Sequence, residues 1–149
     1  MNTNLLRLTL FALLLSASAS FAQKPAVFST TGQAIHGYDP VAYFTDGKPV
    51  KGDSTITHLH EGATWLFAST AHRDAFEADP GKYTPQYGGY CAYGTSRGYK
   101  APTEPDAWSI VDGKLYLNYN TKVRAEWNKD QPGYIQRADK HWIDIKDTK

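Results

Sequence analysis

Hydrophobic and polar positions change their spacing several times along the chain, and each change marks an element. Ser54 to His60 alternates β-forming and polar residues, which predicts a half-buried strand. Ala63 to Ala68 (ATWLFA) is a short, nearly continuous apolar run and predicts a central strand. Ser69 then offers an N-cap for a helix reaching about Ala78, where Asp79-Pro80-Gly81 stops it. Within it His72 and Phe76 stand four residues apart, on one face. Trp108–Val111 and Lys114–Tyr119 flank Asp112-Gly113, a strong hairpin signal. Asn120 or Thr121 opens a short helix carrying Val123 and Trp127. Pro132 begins a last helix whose Tyr134, Ile135, Ala138 and Trp142 form one apolar face. Upstream, Val41–Phe44 reads as a short strand entered through a Pro-bearing turn, with Asp46-Gly47 as a second hairpin signal. Periodicity fails between Tyr83 and Pro105, a stretch full of Gly, Tyr and Pro. The expected fold is α+β: a small antiparallel sheet with helices packed on it, and a long Gly/Tyr-rich loop around Cys91 crossing one end.

The first 22 residues follow another logic. One charge, Arg7, precedes an apolar run from Leu8 to Leu15, and small residues at Ser20 and Ala22 flank Phe21. This is the pattern of a secretory signal peptide cleaved after Ala22, and the run is too short to span about 30 Å of hydrocarbon. The expected organisation is a signal peptide over 1–22, an irregular polar arm over 23–37 and a single domain over 38–145. An exported protein, periplasmic or secreted, is implied, with no stable membrane insertion after cleavage.

Charge narrows the partners. The whole chain carries a formal +1, and loss of Arg7 brings it to zero, so no electrostatic signal points to nucleic acid or an anionic membrane. Four Trp, ten Tyr and six Phe supply an aromatic-rich core and material for an aromatic groove. The one cysteine, Cys91, rules out an intramolecular disulfide framework, so packing must hold the fold.

Several short motifs recur in order: Asp39-Pro40-Val41, Trp65-Leu66-Phe67-Ala68-Ser69 running to Phe76, and Asp79-Pro80-Gly81-Lys82-Tyr83. They are followed by Pro85-Gln86-Tyr87-Gly88-Gly89-Tyr90-Cys91-Ala92, by Trp108 with Val111-Asp112-Gly113-Lys114-Leu115-Tyr116-Leu117-Asn118, and by Trp127 and Ala138-Asp139 before Trp142. Together they resemble a YHS domain, specifically the small exported bacterial branch, over Tyr38 to Trp142. The resemblance implies metal handling. Where metal-handling members carry cysteines, however, this chain has Ala42, Ala68 and His72, so their thiolate site does not transfer.

The residues left to carry chemistry are few. Cys91 is either a small buried hydrophobe, a soft-metal ligand or a reactive thiol. His58 and His60 form a His-x-His pair that a strand places on one face, suited to a shared metal or to a solvated edge. His72 stands where the resembled family has a thiol. Tyr87, Tyr90 and Tyr93 belong to a tyrosine cluster that either lines a ligand groove or ties down long loops. His36 and His141 carry no spacing signal and read as surface residues. No phosphate loop, nucleophile elbow, zincin motif or paired carboxylates stand out. Non-enzymatic binding is the favoured expectation: a soft transition metal, copper or zinc, held by Cys91 with His72, or with His58 and His60. Two other readings stay open: a thiol enzyme or redox protein using Cys91 with His72 as base, and an aromatic-lined module for a small ligand or a protein partner.

Overall fold

A computed structural model describes residues 25–148, so the expected signal peptide lies outside the described residues. The fold is α+β. Two short strands, β1 (Ser29–Thr30) and β2 (Gln33–Ala34), lie in the segment expected to be an irregular arm. They join β3 (Asp53–His60) and β4 (Ala63–Phe67) in a four-stranded sheet of order β1-β2-β4-β3. The pairings β1–β2 and β3–β4 are antiparallel, but β2 runs parallel to β4, so the sheet is mixed rather than wholly antiparallel. A separate hairpin joins β5 (Trp108–Val111) to β6 (Lys114–Leu117). Asp112 and Gly113 both take positive φ (51° and 72°), as a two-residue type I′ turn requires.

One expected strand is a helix. Ala42–Thr45 forms α1 because Asp39 Oδ1 accepts the backbone N–H groups of Val41 (2.8 Å) and Ala42 (3.3 Å), ahead of any strand pairing. The Asp46-Gly47 hairpin signal ends this helix instead, with Gly47 in the left-handed region at φ 64°. Next come α2 (Thr70–Ala78), capped by Ser69, and α3 (Pro80–Tyr83), capped by Asp79.

The long Gly/Tyr segment is more ordered than its sequence suggests. It contains a 3₁₀ turn, Gln86–Gly89, and a short helix α4 (Ala92–Ser96). Gly88 is required by packing: a Cβ there would lie 1.8 Å from the carbonyl oxygen of Ala26. Two last helices, α5 (Thr121–Trp127) and α6 (Gln131–Ile145), are capped by Asn120 and Asp130.

Burial falls into two clusters. Val27, Ile35, Tyr43, Trp65, Phe67, Phe76, Leu115 and Leu117 form one beside the main sheet. Tyr87, Ala92, Tyr116, Trp127 and Ala138 form the other beneath the helices, with Tyr134, Ile135 and Trp142 of α6 packed on it. Strand β6 serves both, because successive side chains leave a strand on opposite sides: Leu115 and Leu117 enter one cluster and Tyr116 the other.

Candidate functional site

Cys91 occupies the N-cap position of α4, where Ser, Thr, Asp or Asn would be usual. Its Sγ takes their role, accepting the backbone N–H of Gly94 at 3.4 Å and that of Tyr119 at 3.2 Å. The thiol in turn faces Asn118 Oδ1 at 3.6 Å. Asn118 is fully buried; its Oδ1 also receives the backbone N–H of Tyr93 at 3.1 Å, and its Nδ2 has no partner among the described residues. Cys91 is 1% exposed. Burial pushes its thiol above the ordinary range, and the N–H donors around the sulfur pull the other way with less effect.

Beside the sulfur lies a cavity of about 260 Å³, lined by Cys91, Tyr93, Tyr99, Ala101, Tyr119 and Val123. None of these side chains is a carboxylate, an ammonium or an imidazole. Tyr99 and Tyr119 are each 49% exposed, so they stand where the cavity meets solvent.

His72 belongs to a different arrangement. Its Nδ1 lies 2.6 Å from Oδ2 of Asp39, a carboxyl with no exposed surface, and its Nε2 lies 3.2 Å from Thr45 Oγ1. Asp46 Oδ1 is 3.9 Å from the same Nε2. The same Asp39 oxygen that meets His72 also accepts the backbone N–H of Ala68 at 2.8 Å. Ala42, Ala68 and His72, the three positions where the sequence resemblance has cysteines, therefore all hydrogen-bond to Asp39. That carboxyl ties α1 to the β4–α2 junction.

His58 and His60 do share a face of β3, and both rings meet that of Phe76 in T-shaped geometry, with centroids 6.1 and 5.6 Å away. His60 Nε2 is 3.9 Å from Glu61. Cys91, His72 and the His58/His60 pair have no bonding partner in common. Among the described residues no group of three or more His, Cys, Asp or Glu is placed to hold a metal ion.

The three expected ligand-lining tyrosines part company. Tyr93 lines the Cys91 cavity. Tyr87 donates its hydroxyl to Asp139 (2.9 Å) beside a larger groove of about 640 Å³, and Tyr90 donates to the carbonyl of Pro25 (2.8 Å) beside a third cavity. Burial drives the Tyr87 phenol far above its ordinary range.

Sequence reasoning passed over Asp39, Asn118 and His36. His36 is no free surface residue: its Nε2 meets the carbonyl of Thr103 at 2.8 Å and its ring packs edge-on against Phe28. Asp39 carried a signal, since Asp-Pro before an apolar pair is also a helix start. Asn118 carried none.

No family model, no curated protein and no solved structure matches the chain.

Proposed function

We propose that this protein is a non-enzymatic binding module, and that its ligand is a small molecule whose apolar ring enters the cavity beside Cys91. The observation that carries this is the composition of the cavity wall: three tyrosines, one valine, one alanine and one thiol around about 260 Å³. Concave, mostly apolar sites of this order are where small ligands bind, and tyrosine provides rigid contact area with a polar tip. Cys91 is a soft, polarisable wall atom in this reading and not a nucleophile, because its thiol is buried and no imidazole adjoins it.

The soft-metal reading has less support. A copper or zinc ion shared by Cys91 and His72 finds no common surroundings: the sulfur faces Gly94, Asn118 and Tyr119, whereas the two ring nitrogens face Asp39, Thr45 and Asp46. The thiol-enzyme reading meets the same obstacle, since no imidazole lines the cavity beside the sulfur. Export is proposed on the sequence of residues 1–22 alone, and an intact mass beginning at Gln23 after secretion tests it.

Titration with 2-naphthol, followed by calorimetry and saturation-transfer NMR, tests the binding reading. Saturable binding is expected in the native chain. It should be lost in Val123→Trp, which fills the cavity, and weakened in Tyr119→Ala. Unchanged binding in a folded Val123→Trp variant would remove the cavity from consideration.

A further inference from the structure

We infer that the ligand of the Cys91 cavity is a planar aromatic acid, its ring among the tyrosines and its anionic group on Arg97. This rests on the ring-binding proposal above and adds the charge. The cavity interior has no ionisable group other than the thiol and phenols, so an anionic group would have to remain at the rim.

A cation stands against one wall residue. The Arg97 guanidinium carbon lies 5.6 Å from the centre of the Tyr93 ring, and Nη1 donates to the Tyr93 hydroxyl at 3.3 Å. Tyr93 is itself a wall of the cavity. Its ring lies 5.2 Å from that of Tyr134, which carries the guanidinium of Arg137 at 4.7 Å. Guanidinium, ring, ring and guanidinium thus follow one another in a series that includes one wall of the cavity.

Among the described residues neither arginine has a carboxylate partner, although Arg73 and Lys129 have theirs in Asp74 and Glu126. A guanidinium held by stacking keeps its planar fork of donors, which matches a carboxylate in two parallel hydrogen bonds. Part of the ordering cost of the side chain is already met before the ligand arrives. Both arginines are exposed, so their charge serves no buried partner. The arrangement suits a ligand with an apolar ring at one end and a carboxylate at the other.

Matched probes test the charge separately from the ring. Calorimetric titration with 2-naphthoate and with neutral 2-naphthol, at low salt, should give an affinity about tenfold higher for the acid. Arg97→Gln should bring 2-naphthoate down to the level of 2-naphthol, with a much smaller change in 2-naphthol itself. Arg97→Lys should restore part of the difference, and added salt should narrow it. An unaltered melting temperature in these exposed-site variants excludes misfolding. Equal affinity for the two probes, or a preference that survives Arg97→Gln, overturns the anionic-ligand inference and leaves the ring-binding proposal standing. Failure of both probes to bind overturns both.

Discussion

Asp39 and His72 meet at 2.6 Å, carboxyl oxygen to Nδ1, though 33 residues separate them in the chain. Because both oxygens of that carboxyl also accept backbone N–H groups, from Val41 and Ala42 on one side and Ala68 on the other, the pair is a structural junction. Asp39→Ala should destabilise the domain by about 3 kcal/mol, since it strands buried donors and the imidazole together. His72→Ala should cost less, about 1–2 kcal/mol. Urea unfolding of the two variants checks the order, and a near-neutral Asp39→Ala would remove the junction from the account.

The thiol of Cys91 gives a pH dependence. Burial raises it, so the folded protein holds its proton where the unfolded chain has lost it. The resulting stability is present in full below the unfolded thiol's pKa, ordinarily about 9, and is lost as pH rises through the folded one. Stability should therefore fall in alkali, with a shallower slope in Cys91→Ala. The phenols of Tyr90 and Tyr116, also raised by burial, contribute their own decline in both proteins. In the native protein iodoacetamide should label Cys91 slowly near neutral pH and rapidly once urea unfolds it. Rapid labelling of the folded chain at pH 7 would restore the activated-thiol reading.

Gly113 tests scaffold against site. Open space surrounds it, yet its φ of 72° strains any side chain with a Cβ. Gly113→Val should cost about 1 kcal/mol or more by thermal melting. Affinity for 2-naphthol should be unchanged, since the turn contributes no wall to the Cys91 cavity.

Metal content gives a fourth expectation. The purified protein should carry no copper or zinc that depends on Cys91 and His72 together. Elemental analysis of the native chain beside Cys91→Ala and His72→Ala checks this. A stoichiometric metal lost in both variants would revive the shared-ion reading.

What the sequence made legible was local. Ser69 capping α2, the turn at Asp112-Gly113 and the apolar face of α6 each depend on residues within a turn or two, and each stands as expected. The misreadings came from competition at a distance or within a cap. Val41–Phe44 has strand-forming composition, but the Asp39 side chain claims its first two N–H groups and winds it into α1. The parallel pairing of β2 with β4 rests on a two-residue strand, too short to leave a period. At the candidate site, Tyr93 and Cys91 were legible as a tyrosine and a thiol. Asn118, which bonds to both and lies 25 residues from Tyr93 and 27 from Cys91, was not. Arg97 follows Tyr93 by four residues and Arg137 follows Tyr134 by three, so each stacked pair is local, but the contact of Tyr93 with Tyr134 that joins the two pairs exists only after the helices assemble.

Strand β6 acts as a party wall. Leu115 and Leu117 are finished surface for the compartment on one side, and Tyr116 for the compartment on the other. Neither compartment can be dismantled alone without exposing apolar surface that the remaining half still needs covered. Heat should therefore empty both in a single transition, with fluorescence and far-UV signals coinciding. It follows that a molecule lodged beside Cys91 would also protect the amides of β3 and β4 that open only through global unfolding, because ligand that binds only the native state raises the free energy of opening the whole domain.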